Sequence, residues 1–458
     1  MSMRTMVSSD GGPATPRPAM RSQHSLAHMN NFLSGGLHPT CGLAHSVTKG
    51  GRVVNEDAFL LESRQIASGA RITLMGVFDG HGNEQLSYWL SSHFGDVFFK
   101  VFSILQQSYG LPRCIEYTRK LFPSDESFRV RSARISLLNC PDVVTLTLCT
   151  SLAICEEQAM SLTHVDTAQG GSVATVIAVT AGGFFVAKVG DASAALVATR
   201  PVNLVLKTSE HRTVCRPDEV SRVTASGGSV YKGNAVGMAF SSLNVTRSLG
   251  DLIWRANDDW RRDNTRDRSS NQKAIDESLT AFSKQRGCVG LTSEPEWYSC
   301  CCHGGSTGGE DVVHWAVSTN SPTEYASIAT SRLFKGSELE FFLIAGSDGF
   351  WETQAMPHIL RGLDSHAMSA PDILKSALAS IGDTPHDDST VVVLQMRVDP
   401  SDLVLAPPGT ASQRRKTVAS SIADSSEGEL TQSAPRKTVT KRRTLSNDGQ
   451  GHLDYLFS

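Results

Sequence analysis

The sequence lacks the features that mark membrane, secreted and nucleic-acid-binding proteins. No apolar run is long enough to span a bilayer, and the polar N-terminus has no apolar segment of the kind found in secretory signals. The formal net charge is only −3 at pH 7, whereas a general nucleic-acid binder carries a basic domain. The 10 cysteines are scattered over 458 residues and indicate reduced thiols rather than a disulfide framework. We therefore expect an intracellular protein, in the cytoplasm, the nucleus or both, with no membrane or nucleic-acid partner.

Composition divides the chain into three parts. Residues 1–38 lack periodicity and are rich in Ser, Pro and Met, and residues 400–458 are rich in Ser, Thr, Lys and Arg, so both are predicted to be disordered tails. Residues 39–399 are interpreted as one domain. Two stretches within it, 255–290 and 299–337, are predicted to be insertions that form solvated loops. The second contains three adjacent cysteines, whose side chains converge poorly on one metal ion.

Hydrophobic patterning predicts a mixture of strands and long helices. Strands are predicted at 72–78, 173–179, 183–190, 338–346 and 389–398. Helices are predicted over 84–106, where apolar residues recur at helical spacing, and over 142–160. Strand hairpins with long helices between them favour an α+β fold over a doubly wound parallel sheet. In that fold two stacked antiparallel β-sheets are flanked by helices, as an α-β-β-α sandwich.

Acidic residues stand at the ends of the hydrophobic runs over most of the chain. They are Glu56 and Asp57, Asp79, Asp191, Asp348 and Asp387. A single Asp-Gly after a strand is most simply a turn, but five such sites together favour one cluster of carboxylates around hard cations. Carboxylate and carbonyl oxygens are the ligands that Mg²⁺ and Mn²⁺ prefer. The pattern therefore predicts a metal-dependent hydrolase.

The segment VFDGHGN at 77–83 illustrates how one strand end supplies several groups. The strand delivers Asp79 to a sheet edge, and Gly80 and Gly82 allow the backbone to turn sharply and present a carbonyl to an ion. His81 is then expected within a few ångströms of that ion.

Eight motifs follow one another in a fixed order along the chain. They are R-x-x-x-E-D, V-F-D-G-H-G, G-S-x-A, V-G-D, T-R-S-L-G-D, S-E-P-E, S-D-G-F-W-E and D-D-S-T-V. From about residue 42 to residue 398 this order resembles the type 2C metal-dependent serine/threonine protein phosphatases, the PPM family. The resemblance implies an enzyme that hydrolyses phosphoserine and phosphothreonine by attack of a metal-bridging hydroxide, with no phosphoenzyme. Phosphorylated proteins would be its substrates, and a monomer is expected because family members are mostly monomeric.

The resemblance also implies a set of metal ligands. Two Mg²⁺ or Mn²⁺ ions are expected between the stacked sheets, with Asp79 bridging both of them. Asp348 and Asp387 would complete the ligands of one ion. Glu56 and the carbonyl of Gly80 would bind the other.

Three further residues receive catalytic roles from the resemblance. Asp57 would accept hydrogen bonds from metal-bound waters. Arg52 would bind the substrate phosphate, because a guanidinium fork matches phosphate oxygens. His81 matches the proposed general acid that protonates the leaving alkoxide.

A third, weaker ion is less well supported. Asp191 resembles the position for that ion, but Ala192-Ser193 replaces the usual Ser-Arg and removes a cation beside it. Glu352 stands where an Asp usually helps to hold the same ion. The sequence therefore leaves open whether this third site functions.

The segment 204–250 resembles the region that contains the flap beside the active site in this family. It carries the charged stretch EHRTVCRPDEV, and NVTRSLGD at 244–251 closely follows the pattern of the family. We expect Arg247 and Asp251 to be structural or to shape the site rather than to bind metal.

The sequence gives no support to other phosphatase classes. A cysteine-based enzyme needs five residues between Cys and Arg, whereas Arg222 follows Cys215 one position too late. The Gly-Asp-x-His and Gly-Asn-His-Glu signatures of another metallophosphatase class are missing, as is the P-loop GxxxxGK[ST]. The alternative that stays open is a catalytically silent, phosphatase-like scaffold that binds partners. Such a protein would normally lose Asp79, Asp348 or Asp387.

The C-terminal tail contains two similar basic segments, RRKTVAS at 414–420 and PRKTVTKRRTLS at 435–446. Basic residues shortly before Thr or Ser suit kinases whose acidic sites pair with cations. We therefore hypothesise that a kinase phosphorylates the tail and that the tail contacts the acidic cleft of the enzyme.

Overall fold

The computed structural model of the protein describes the central part of the chain with gaps. The described residues are 37–48, 54–106, 140–199, 202–226, 229–231, 234–236, 243–252, 291–307, 310–321, 327–328, 339–353, 355–365, 368–381 and 387–398. Arg52, the predicted insertion at 255–290 and the predicted tail at 400–458 lie outside them. The predicted N-terminal tail also lies outside them, except that residues 37 and 38 open the first strand.

Two antiparallel sheets contain most of the described strands. The first has the order β1 (Leu37–Thr48), β15 (Ser389–Val398), β14 (Leu339–Gly346), β6 (Ser193–Thr199), β7 (Val202–Lys207) and β13 (Ser327–Ile328). The second has the order β12 (Glu310–Thr319), β11 (Glu296–Thr307), β5 (Gly183–Val189), β4 (Gly171–Thr180), β3 (Arg71–His81) and β2 (Ala58–Gln65), with β10 (Leu249–Gly250) paired to β4. A separate hairpin joins β8 (Ser229–Tyr231) and β9 (Asn234–Val236).

Helices cover the outer faces of both sheets. On the second sheet lie α1 (Gln85–Gln106) and α2 (Cys140–Met160), and on the first sheet lie α4 (Asp348–Trp351), α5 (Ala355–Ser365) and α6 (Ala370–Ile381). The short helix α3 (Pro217–Ala225) follows β7. One apolar core lies between the sheets, and one lies under each helical layer. The predicted α-β-β-α sandwich is therefore confirmed. None of the helices in the described ranges combines the length and apolarity needed to cross a membrane.

The alternation of side chains explains why the central strands are apolar throughout. In β14, Phe341 and Leu343 belong to the core between the sheets, whereas Phe342 and Ile344 belong to the core under α5 and α6. Successive side chains of a strand point to opposite faces, so a strand buried on both faces needs apolar residues at every position. This continuous apolar pattern made the predicted strands recognisable, and all of them are confirmed, as are the two long helices.

The predicted loop at 299–337 is wrong over most of its length. Residues 299–307 and 310–319 form a hairpin of β11 and β12, and β11 also pairs with β5. Cys300 lies in the core between the sheets and Cys301 in the core under the helices, both almost completely buried. Buried cysteine behaves as a small hydrophobe, so Cys300 and Cys301 are part of the strand core. The Gly, Ser and charged residues around it concealed the strand pattern.

Two Asp-Gly pairs allow acidic segments of the chain to approach one another closely. The Gly80 amide donates to the Glu56 carbonyl oxygen at 3.1 Å, and a Cβ at Gly80 would overlap that oxygen. A Cβ at Gly349 would likewise overlap the carbonyl oxygen of Asp388. The glycine after each Asp is therefore required by the backbone of another acidic segment, which draws the ends of several strands together.

We predict that Gly349→Ala destabilises the protein by about 2 kcal/mol, within the range for overpacking a tight site. The added methyl group meets backbone, which cannot move without displacing the start of β15. Gly362→Ala is the matched control, because the atom nearest to its added Cβ is the flexible Met368 sulfur and Ala favours a helix by roughly 0.5–1 kcal/mol. Urea unfolding of both variants measures the difference, and equal stabilities would contradict the close-approach argument.

Candidate metal centre

Three carboxylates meet at one end of the sandwich. Oxygens of Asp79, Asp191 and Asp348 all lie within 4.8 Å of one another. Asp79 lies near the end of β3, Asp191 in the turn between β5 and β6, and Asp348 at the start of α4 directly after β14. Both sheets therefore contribute to this group, the acidic triad of Asp79, Asp191 and Asp348.

The strand pattern explains the direction of Asp79. It continues the alternation of Met75 and Val77, which face the core between the sheets. At the strand end the apolar side chains give way to this carboxylate, so the charge is directed between the two sheets.

Glu56, Asp387 and Asp388 stand beside the acidic triad. The Glu56 amide donates to Asp388 Oδ2 at 2.8 Å, and the Asp388 amide donates to Asp387 Oδ1 at 2.8 Å. These bonds fix the segment before β2 against the segment before β15. Glu56 and Asp387 are not part of the tight group of the described residues, but Asp387 is near enough to raise the pKa of Asp348. The structure thus brings every predicted metal residue to this end of the sandwich.

Asp57 is buried, and the hydrogen-bonding capacity of its carboxylate is only partly used. Its side chain is 2% exposed, and its Oδ2 atom has no hydrogen-bond partner among the described residues. Burial raises the pKa of Asp57 to about 6, although the nearby side chains of Thr390 and Ser347 act in the opposite direction. A buried carboxylate oxygen without a protein partner calls for a water or a cation. The role of Asp57 in holding metal-bound water stays a prediction.

The electrostatics of the acidic triad favour a bound cation. Burial raises the pKa of Asp79 well above its usual value, and the charges of Asp57, Asp348 and Asp191 raise it further. Burial also raises the pKa of Asp348 to about 7, assisted by Asp191 and only partly offset by Arg212. Like charges this close resist simultaneous ionisation. An all-oxygen donor set with excess negative charge fits a hard divalent ion, so the acidic triad could hold a metal.

His81 is held by a residue from a distant part of the sequence. Its Nε2 atom lies 2.6 Å from Asp251 Oδ2, and Ser248 Oγ donates to the same oxygen at 2.5 Å. Asp251 is fully buried and has a φ of 53°, in the left-handed region that a non-glycine residue adopts rarely. Burial lowers the pKa of His81, but the charge and hydrogen bond of Asp251 outweigh it, so the pKa is raised overall.

Arg212 is the site residue that the sequence did not indicate. Its Nε, Nη2 and Nη1 atoms contact Asp191 at 2.6 Å, Asp348 at 2.6 Å and Glu352 at 2.7 Å. It comes from the segment between β7 and α3, about 20 residues from its nearest partner in sequence and far from the other two. Spacing along the chain gives no signal for such a contact, because only the folded sheets bring these segments together.

Arg247 has the structural role that was expected of it. Its guanidinium contacts the buried carboxylate of Glu219 at 2.6 Å and donates to the Glu294 carbonyl at 2.8 Å. It therefore ties α3 to the segment before β11. The predicted phosphate ligand Arg52 lies outside the described residues.

Comparison with known proteins identifies one family. The model of the family described as protein phosphatase 2C matches residues 43–275, just over half of the chain. Two curated relatives from Paramecium tetraurelia, probable protein phosphatase 2C 2 and protein phosphatase 2C 1, are 25% and 26% identical over 212 residues. These matches cover 46% of this chain and 59% of each relative. The chain thus matches about three-fifths of the length of these relatives.

Solved structures with similar backbones were also found. A serine-threonine phosphatase 2C from Toxoplasma gondii is 15% identical, with a TM-score of 0.44, covering 79% of this chain and 98% of that one. A sex-determining protein of C. elegans is 16% identical with a TM-score of 0.41, covering 79% of this chain and 65% of that one. The family assignment rests on the match to the family model.

We predict a stability signature of the acidic triad in metal-free protein. The raised pKa of Asp348 means that its protonated form stabilises the fold below about pH 4, and that this contribution is lost as the pH rises to about 7. Asp348→Asn mimics the protonated form at every pH. In EDTA, wild type should therefore lose about 3 kcal/mol of stability relative to this variant between pH 5 and pH 8, because this window covers roughly two units of the pKa shift and one unit corresponds to about 1.4 kcal/mol.

Urea unfolding at pH 5 and pH 8 measures this difference, with the exposed Asp96→Asn as the matched control. Adding Mn²⁺ at pH 8 should stabilise wild type more than Asp348→Asn, because the ion neutralises the ionised triad. If the free energies of unfolding of wild type and Asp348→Asn changed equally with pH in EDTA, the electrostatic argument would be contradicted.

Proposed function

The chain belongs to the protein phosphatase 2C family, and we propose that it is a metal-dependent phosphatase that hydrolyses phosphoserine and phosphothreonine in proteins. The observation that carries the proposal is the acidic triad, in which carboxylates from both sheets lie within 4.8 Å of one another. The ion pairs of Arg212 with two of these acids only partly offset the repulsion among all three, so a structural role alone gives little reason to hold them in contact. Binding of a doubly charged ion gives such a reason.

Two Mg²⁺ or Mn²⁺ ions per site are proposed as the cofactors. Asp79, Asp348 and Asp387 would supply carboxylates to one ion, and Glu56 and the Gly80 carbonyl would join Asp79 at the other. When bound, such ions neutralise phosphate charge and lower the pKa of a water. Both ions accept oxygen ligands, so the donor set does not discriminate between them.

His81 is proposed to protonate the oxygen of the departing serine or threonine. A ring protonated at both nitrogens would donate Nε2–H to Asp251 and hold a transferable proton at Nδ1. The contact with Asp251 raises the pKa of His81, which increases the protonated fraction near neutral pH. Asp251 is thus a positioning residue that orients the ring and supports its charge.

Arg52 would contact the phosphate through its guanidinium fork. Phosphoproteins would be the substrates of a monomeric enzyme in the cytoplasm, the nucleus or both. A kinase would act on the basic segments of the C-terminal tail.

The direct test is release of phosphate from a phosphothreonine peptide with Mn²⁺, with Mg²⁺ and with EDTA. We expect activity that requires a divalent ion and that falls by at least about a hundredfold in Asp79→Asn, the scale of losing one electrostatic contribution to the transition state. Asp96→Asn, an exposed aspartate of α1, should retain wild-type activity. No release from folded protein under any condition would instead favour the catalytically silent scaffold.

A second prediction concerns the pair of His81 and Asp251. Asp251→Asn should lower kcat by about tenfold, less than the roughly hundredfold or larger loss expected for His81→Ala. Without the negative charge the pKa of His81 falls, so the loss of activity at high pH should begin at a lower pH. Measuring kcat from pH 5 to 9 tests this shift. If Asp251→Asn is as stable as wild type and its activity declines at the same high pH, the positioning role is excluded.

A further inference from the structure

Arg212 contacts two members of the acidic triad, Asp191 and Asp348, from one side. Its side chain is 17% exposed and extends from the half-buried interior to the rim of the site. The Nε edge contacts the buried Asp191, Nη2 contacts Asp348, and Nη1 contacts Glu352, whose side chain is 61% exposed. A guanidinium has N–H donors in a fixed plane, and here each of its three nitrogens faces a different carboxylate.

The backbone holds Arg212 in this position. The preceding residue, His211, is bonded twice to Gly190, because its Nδ1 accepts the Gly190 amide at 2.9 Å and its own amide donates to the Gly190 carbonyl at 3.1 Å. Gly190 directly precedes Asp191 in the chain. The Thr246 amide also donates to the His211 carbonyl at 2.9 Å. Arg212 is therefore fixed beside Asp191 by the fold rather than by its side-chain contacts alone.

The carboxylates near Arg212 outnumber its single positive charge. One guanidinium faces Asp191, Asp348 and Glu352, and Asp79 lies within the same acidic triad. Negative charge therefore remains beside Asp79 for divalent ions, whereas Arg212 compensates the charges of Asp191 and Glu352.

We propose that Arg212 is a built-in cation that occupies the place between Asp191, Asp348 and Glu352, where a further divalent ion would otherwise bind. Residues 192 and 193, which follow Asp191, are Ala and Ser and carry no charge. Arg212 supplies the cation from another segment. The inference rests on the metal centre proposed above and limits it, because the Asp191 side of the centre is satisfied by the protein itself.

The test counts bound Mn²⁺ by equilibrium dialysis of the full chain at pH 8, together with melting temperatures in EDTA and in Mn²⁺. Arg212→Ala and Arg212→Gln should each bind one more Mn²⁺ per chain than wild type. In EDTA their melting temperatures should lie several degrees below that of wild type, because Asp191, Asp348 and Glu352 lose their cation. Saturating Mn²⁺ should close this gap.

Two variants control for the charge and for loss of an arginine. Arg212→Lys keeps the positive charge and should bind the wild-type number of ions. Arg64→Ala removes an arginine that contacts Glu62 and Asp96 on the surface, far from the triad in the fold, and should also match wild type. Using both Ala and Gln at position 212 separates the removal of charge from the removal of volume.

Three outcomes overturn the proposal. Equal Mn²⁺ numbers in wild type, Arg212→Ala and Arg212→Gln would show that Arg212 does not exclude an ion. Unchanged metal binding together with weaker inhibition by inorganic phosphate would make Arg212 a phosphate ligand instead. No Mn²⁺ on any of these proteins would overturn both this inference and the metal centre.

Discussion

Repulsion among carboxylates that lie within 4.8 Å of one another is the constraint on which the rest of this structure depends. Such a group is stable only if the scaffold forces its members together and a cation compensates them. The scaffold does so by ending strands of two different sheets at one place. Asp79 lies near the end of one strand, Asp348 directly follows another, and backbone contacts at Gly80 and Gly349 join their segments to Glu56 and Asp388.

The buried ionic groups around the site help to hold these carboxylates and their cation in place. Arg216 contacts Glu296 and Asp218 at 2.6 Å each, and it donates to Ser209 at 2.7 Å. Buried pairs of this kind add little net stability but are costly to break, about 3–5 kcal/mol for the loss of one partner. Here they fix the segment from Ser209 to Arg216, which places Arg212 beside the acidic triad. Rigidity, more than net stability, is what they contribute.

Sequence reasoning identified the parts of the molecule in which each residue follows a local rule. The strands of the central layers are apolar at nearly every position, and the acids that terminate them carry distinctive neighbours, so both fold and candidate ligands could be predicted. The cysteine-rich strand β11 was missed because cysteine, glycine and serine do not resemble a β-strand, although Cys300 and Cys301 pack in the cores. The contacts of Asp251 with His81 and of Arg212 with the triad depend on the pairing of distant segments, which spacing along the chain does not encode.

The most direct measurement is anomalous X-ray diffraction at the manganese absorption edge, from crystals of the full chain grown with Mn²⁺. We expect anomalous peaks within bonding distance of Asp79 and Asp348, at the end of the sandwich where the two sheets meet. Well-ordered carboxylates there with no anomalous peak, or manganese bound only elsewhere on the protein, would contradict the claim that this acidic group exists to bind divalent cations.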